Sequence, residues 1–143
     1  MAEQNEDWNW TFRGYESMAG SRPVQDWFNG LPESASDEMR DVVGYLQHSP
    51  IQEWKFPHFE RLEDGISEVR FRVGKVRYRV YGYFGPTWIR QSYTFLHGTD
   101  KKVSNDRHGK KTAKDRMAEI ERKQARAPEF EFEERPDSET AQE

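Results

Sequence analysis

The chain has 143 residues, a formal net charge of −4, 34% hydrophobic and 14% aromatic residues, which suits one domain with a core built from Trp, Phe and Tyr and excludes wholesale disorder. It contains no cysteine, so disulfide and thiolate chemistry are excluded, and it has no apolar run of signal-peptide or membrane-span length, so a soluble cytoplasmic protein with no membrane role is expected. The charge is unevenly placed: residues 1–69 sum to −9, residues 70–126 to +11 and residues 127–143 to −6, a basic middle of the kind that meets a polyanion.

Along the chain, "WNWTFRGYES" alternates Trp8, Trp10 and Phe12 with polar residues and predicts a first strand. In "SRPVQDWFNGLP", Ser21 is the expected N-cap and Pro23 lies in the first turn. Val24, Trp27, Phe28 and Leu31 then line one face of a short helix that Leu31-Pro32 ends. A second helix over about 34–48 carries Ala35, Met39, Val42, Val43 and Leu46 on its inner stripe. "EWKFPHFERLEDG" reads as a loop or short strand leading into "GISEVRFRVGKVRYRVYGYF", where apolar and charged residues alternate with period two. Gly74-Lys75 suits a two-residue type II′ turn, and that register pairs Val73 with Val76, Arg72 with Arg77, Phe71 with Tyr78, and Arg70 with Arg79. A third strand is expected over about 88–96, followed by the long basic loop "HGTDKKVSNDRHGKK". Thr112 and Asp115 resemble a capping box for a last helix that reaches about residue 127 and carries Met117 and Ile120 on its apolar face.

The order predicts an α+β domain over residues 1–127, with helices packed on one face of an antiparallel sheet and arginines on the other. Residues 128–143 read as an acidic, disordered tail. Phe130 and Phe132 alternate there with glutamates, so the segment could instead lie along a sheet edge or across the arginine face as a mask. Like charges opposed across a ladder are destabilising, so the Arg70/Arg79 and Arg72/Arg77 pairs call for an anion.

These residues resemble a known family, the phage-derived, HigB-like branch of the RelE/ParE toxin superfamily. The resemblance runs through "YESMAGSRPVQDWFNGLP", "RLEDGISEVRFRVGKVRYRVYGYF" and "FLHGTDKK", about residues 8–104. It implies the toxin of a type II toxin–antitoxin pair, with two N-terminal helices on one face of a small antiparallel sheet and a C-terminal helix. Such toxins enter the A site of the 30S ribosomal subunit and cut mRNA, and a helix-turn-helix antitoxin from a neighbouring gene neutralises them. The positions that match are Glu68 and Arg70 of "EVR", Arg79 of "YRV", His97 of "LHG", and Lys101 and Lys102 of "DKK". Thr99 stands where the family usually has an aromatic, and "VSNDRHGKKTAKDRM" is longer than the usual link to the last helix.

The chemistry is consistent with that implication. Cleavage through the RNA 2′-hydroxyl needs a base, an acid and cations for the charge on phosphorus, and no metal or other cofactor. Arg70 and Arg79 offer a fork for phosphate oxygens, and Lys101 and Lys102 follow the third strand closely enough to reach the same face, where crowding by arginines would lower a lysine pKa. His97 is either an acid or base or a packing and phosphate-contact residue; His48, His58 and His108 read as turn or surface residues, and no zinc-ligand spacing is present. Arg72, Arg77, Lys110 and Lys111 read as RNA contacts without base specificity. Tyr81 and Tyr83 share the arginine face, where they either stack on bases or pack under a helix or the tail. Glu68 reads as an orienter of arginine. The alternative function is a non-catalytic nucleic-acid-binding phage accessory protein of the same fold, and a gyrase-poisoning toxin is a third.

Overall fold

The computed structural model describes residues 9–100 and 105–133. Trp8, Lys101, Lys102 and residues 134–143 of the acidic tail lie outside them. The elements in order are β1 (Thr11–Gly14), β2 (Glu16–Ser17), α1 (Pro23–Asn29), α2 (Glu33–Gln47), a 3₁₀ turn (Ile51–Glu53), β3 (Phe59–Arg61), β4 (Ser67–Val73), β5 (Val76–Phe84), β6 (Ser92–Thr99), α3 (Arg107–Glu121) and β7 (Ala125–Arg126). The protein is α+β.

The main sheet runs β1-β6-β5-β4-β3, and β2 pairs with β7 apart from it. Its β3 to β6 meander is antiparallel, but β1 lies parallel to β6, with Phe12 opposite Tyr93. The sheet is therefore mixed, not antiparallel throughout: alternation fixes which face a residue takes and says nothing about strand direction. In the central hairpin every pairing read from the sequence is present, including Arg72 with Arg77 and Arg70 with Arg79. Gly74 sits at φ +60°, the left-handed conformation that the first position of a type II′ turn demands and that glycine adopts without penalty.

The helices occupy both faces, which corrects the one-sided arrangement expected. Val24 and Phe28 of α1 and Ala35, Met39, Val42, Val43 and Leu46 of α2 pack with Phe12, Trp54, Phe59, Val69, Phe71, Tyr78, Val80, Tyr93 and Phe95 in the larger core. Ala113 and Ile120 of α3 pack on the opposite face against Ile66, Tyr81, Tyr83 and Leu96. A β-bulge opposite the Tyr81–Gly82 step leaves Leu96 as the extra β6 residue, so that His97 rather than Leu96 faces Tyr81.

Helix ends differ from their sequence signals for local reasons. Arg22, not Ser21, is the N-cap residue of α1 and makes no side-chain cap, because Ser21 is spent in a turn: its N–H donates to Ser17 Oγ at 3.0 Å and its carbonyl accepts from Ser17 N at 2.9 Å. Helix α3 starts at Arg107, capped by Asp106, whose carboxylate accepts from Gly109 N at 3.0 Å. The Thr112/Asp115 box is thus interior to the helix. Its first turn carries only polar residues and glycine, so apolar periodicity becomes visible only from Ala113. Strand β6 begins at Ser92 because residues 86–91 form a turn, in which Ile89 N donates to Pro86 O at 2.9 Å and Trp88 is 50% exposed.

The domain does not end at residue 127. Residues 128–132 run antiparallel beside β1: Gly14 N donates to Pro128 O at 2.9 Å, and Phe130 N to Phe12 O at 2.9 Å. Gln25 grips this strap in both directions, donating to Glu131 O at 2.8 Å and accepting from Glu131 N at 2.9 Å. Arg40 donates to Phe132 O. Phe130 is buried in the larger core and Phe132 packs against it, so this part of the acidic segment is an ordered edge strap along the sheet rather than a disordered tail.

Candidate nucleic-acid interface

Strands β4 and β5 carry Arg70, Arg72, Arg77 and Arg79 on the face opposite the larger core, toward the Gly74 turn. Helix α3 covers the other half of that face. The boundary is the N-terminus of α3, where the Tyr81 hydroxyl donates to the Asp106 carboxylate at 3.1 Å. What remains is an open cationic shelf of side-chain rows set by strand register. Glu68, Tyr81 and His97 form one row across β4, β5 and β6; Arg70, Arg79 and Thr99 form the next; Arg72 and Arg77 form the third. Adjacent strands lie about 4.8 Å apart, so Glu68 and His97 stand on order of 10 Å apart, on either side of Tyr81.

Arg70 is anchored. Its guanidinium lies 2.7 Å from Glu60 Oε1 and 3.3 Å from Glu68 Oε2, and stacks over the Phe56 ring at 4.8 Å. Arg79 is half-buried beside the Tyr81 hydroxyl, which it helps to polarise. Arg72 and Arg77 are exposed. Glu68 is buried, 5% exposed, among Arg70, Arg79, Lys110 and Glu60. Burial raises its carboxyl pKa above the usual range, and the attraction of Arg70 and Arg79 only partly opposes this. His97, half-buried, stacks on Tyr81 with centroids 6.2 Å apart and planes 7° from parallel.

Several expected site residues fall elsewhere. Tyr81 and Tyr83 are 0% and 4% exposed beneath α3, so neither offers a ring face to a base, and the packing alternative holds. Burial pushes the Tyr81 hydroxyl up to about 12, and Tyr83 donates to Glu121 at 2.7 Å; both are neutral donors fastening α3. Lys110 and Lys111 lie on α3, not in a loop. Lys110 faces the shelf, 3.6 Å from Glu63, whereas Lys111 pairs with Asp115 along the helix at 2.9 Å. Thr99 is buried at 7% exposure opposite Arg79. Among the described residues no group of three or more His, Asp or Glu side chains is placed to hold a metal ion, and no helix is long and apolar enough to cross a membrane.

Sequence reasoning missed two features. Glu68 shares the arginine face by simple alternation, but its burial depends on α3, which is remote in sequence. Phe56 is 71% exposed at the edge of the shelf, and nothing local separates it from the core aromatics Trp54 and Phe59.

Fold and shelf together define a class: a small α+β protein whose mixed sheet presents a cationic surface lined by a buried carboxyl and an imidazole. The chain belongs to the family described as phage derived protein Gp49-like (DUF891), whose model matches residues 26–125, from within α1 to the start of β7. No curated protein matches the sequence.

Proposed function

We propose that the protein is the toxin of a type II toxin–antitoxin pair, an endoribonuclease of the HigB-like kind that cuts mRNA in the A site of the 30S subunit. The Gp49-like family is RelE/ParE-like, which supports the toxin reading. The observation that carries the chemistry is the side-chain register: the Arg70/Arg79 row adjoins a row with a buried carboxyl at one end and an imidazole at the other. A scissile phosphate on the two guanidiniums has Glu68 to take the 2′-hydroxyl proton and His97 to protonate the departing 5′-oxygen. The 2′-oxygen attacks phosphorus, the P–O5′ bond breaks, and a 2′,3′-cyclic phosphate and a 5′-hydroxyl result. A carboxyl pKa raised by burial suits the first transfer, since a base works best when its pKa approaches the working pH. Lys101 and Lys102, two and three residues past β6 in the sequence, would supply further cations, and Arg72, Arg77 and Lys110 hold flanking phosphates without reading sequence. The site is cytoplasmic, and a helix-turn-helix antitoxin from a neighbouring gene would cover it.

Thr99 favours a second reading, a non-catalytic nucleic-acid-binding accessory protein, because a buried threonine stands where the resembling toxins have an aromatic. One experiment separates the two. Induced expression followed by mapping of mRNA 5′ ends should show growth arrest and new ends at codon positions. Arg79→Ala should slow cleavage about a hundredfold, the usual cost of removing one preorganised donor to the reacting charge. RNA binding without new mRNA ends selects the accessory protein, and an Arg79→Ala variant as toxic as the parent removes the shelf from the mechanism.

A further inference from the structure

We infer that Phe56 is a stacking platform for a nucleobase of single-stranded RNA, beside the phosphate-binding arginines; this rests on the nucleic-acid reading of the shelf. A phenylalanine 71% exposed would ordinarily be a liability. Its loop is nevertheless pinned at both ends. Trp54 on one side is 6% exposed and Phe59 on the other 1%, both in the larger core, and Phe59 N donates to Lys55 O at 3.0 Å across the turn. The backbone thus presents Phe56 outward from a fixed base, the preorganisation a recognition residue needs.

The Arg70 guanidinium covers one face of the Phe56 ring at 4.8 Å, and the ring's exposure leaves the rest to solvent. Arg70 N also donates to His58 O at 2.8 Å, which ties the arginine row to the Phe56 loop in one unit. A strand whose phosphate lies on Arg70 and Arg79 therefore passes an aromatic surface already backed by a cation. Alternating cationic and aromatic contacts are how single strands are held without sequence preference. Since Tyr81 and Tyr83 are buried, Phe56 is the aromatic beside the arginine row that is open to a base.

The test is binding of the full chain, followed by fluorescence anisotropy at low salt, to a 2′-O-methyl oligoadenylate and to the same backbone with abasic sugars. Phe56→Ala should weaken the oligoadenylate about 5- to 150-fold, from the roughly 1–3 kcal/mol that base–aromatic stacking contributes, and leave the abasic strand unchanged. Phe56→Trp should restore or tighten oligoadenylate binding. Arg79→Ala should weaken both strands alike. Equal losses on both strands for Phe56→Ala would assign Phe56 to positioning Arg70 and overturn the inference, as would no loss on either. If the parent binds neither strand, the nucleic-acid reading fails and takes this inference with it; an Arg79 effect without a Phe56 effect sinks this inference alone.

Discussion

Replacing Phe130 by alanine measures how far the C-terminal strap belongs to the folded domain. The ring is 7% exposed, with centroids 5.0 Å from Phe95, 5.5 Å from Phe28 and 4.9 Å from Phe132. It lies so close over β1 that a Cβ added at Gly14 would fall 2.8 Å from its Cδ1. Truncating a buried phenylalanine costs about 3–5 kcal/mol, depending on how far the cavity collapses. Here the backbone bond from Phe130 N to Phe12 O survives the substitution, and Phe132 is only partly buried and can move toward the gap. The lower end, about 3 kcal/mol, is therefore expected. In urea, with a slope of about 1–3 kcal/mol/M, the midpoint should fall by roughly 1–3 M at unchanged slope. Removing residues 128–143 should cost more still, since it also strips the partners from Gln25 and Arg40. A Phe130→Ala variant within about 0.5 kcal/mol of the parent, the range of ordinary surface substitutions, would refute the packing described for the strap.

Two further outcomes follow from the shelf. Because burial raises the Glu68 pKa, the folded protein retains a proton that the unfolded chain has already released. Stability of the parent, measured against Glu68→Gln, should therefore fall as pH rises from the ordinary carboxylate range through the raised value; parallel pH–stability curves for the two proteins would contradict this. Arg72 and Arg77 are opposed and exposed, so Arg72→Thr should stabilise the protein by up to about 1 kcal/mol at low salt, with the gain fading as salt screens the pair. A lower melting temperature for that variant at low salt would show that Arg72 has a stabilising partner.

What the sequence made legible was local or periodic. The α2 stripe from Ala35 to Leu46 and the β4–β5 register follow from spacings within one segment, and both are present in the structure. What it hid depends on contacts between distant segments. The parallel β1–β6 pairing has no counterpart in alternation. The polar start of α3 concealed a helix whose later residues, Ala113 and Ile120, bury Tyr81 and Tyr83, and so the choice between stacking and packing for these tyrosines stayed open. The strap was only half legible: alternation of Phe130 and Phe132 with glutamates left a sheet-edge placement open beside disorder, and what decides between them is the contact of the two rings with Phe28 and Phe95. Arg70 and Arg79 were visible because a hairpin is local; the environment of Glu68 was not, because a helix about 40 residues downstream helps to make it.

Strand β1 is bracketed by segments made much later in synthesis. Arg13 Nε donates to Ser92 Oγ, 79 residues on, at 2.9 Å, and its guanidinium donates to Ala127 O, 114 residues on, at 3.0 Å. Emerging first, β1 has no strand partner in the main sheet until β6 is made, and no cover on its outer edge until the strap follows. Closing such long loops is slow relative to local pairing, so the β4–β5 hairpin can form on a chain whose larger core is still open. A product cut short by a stalled ribosome would carry an unpaired β1 edge and leave Phe12, Phe28 and Phe95 short of their last partners, a surface that invites chaperone capture and proteolysis. Chains that stop before residues 128–132 are therefore expected to be degraded faster than chains that include the strap.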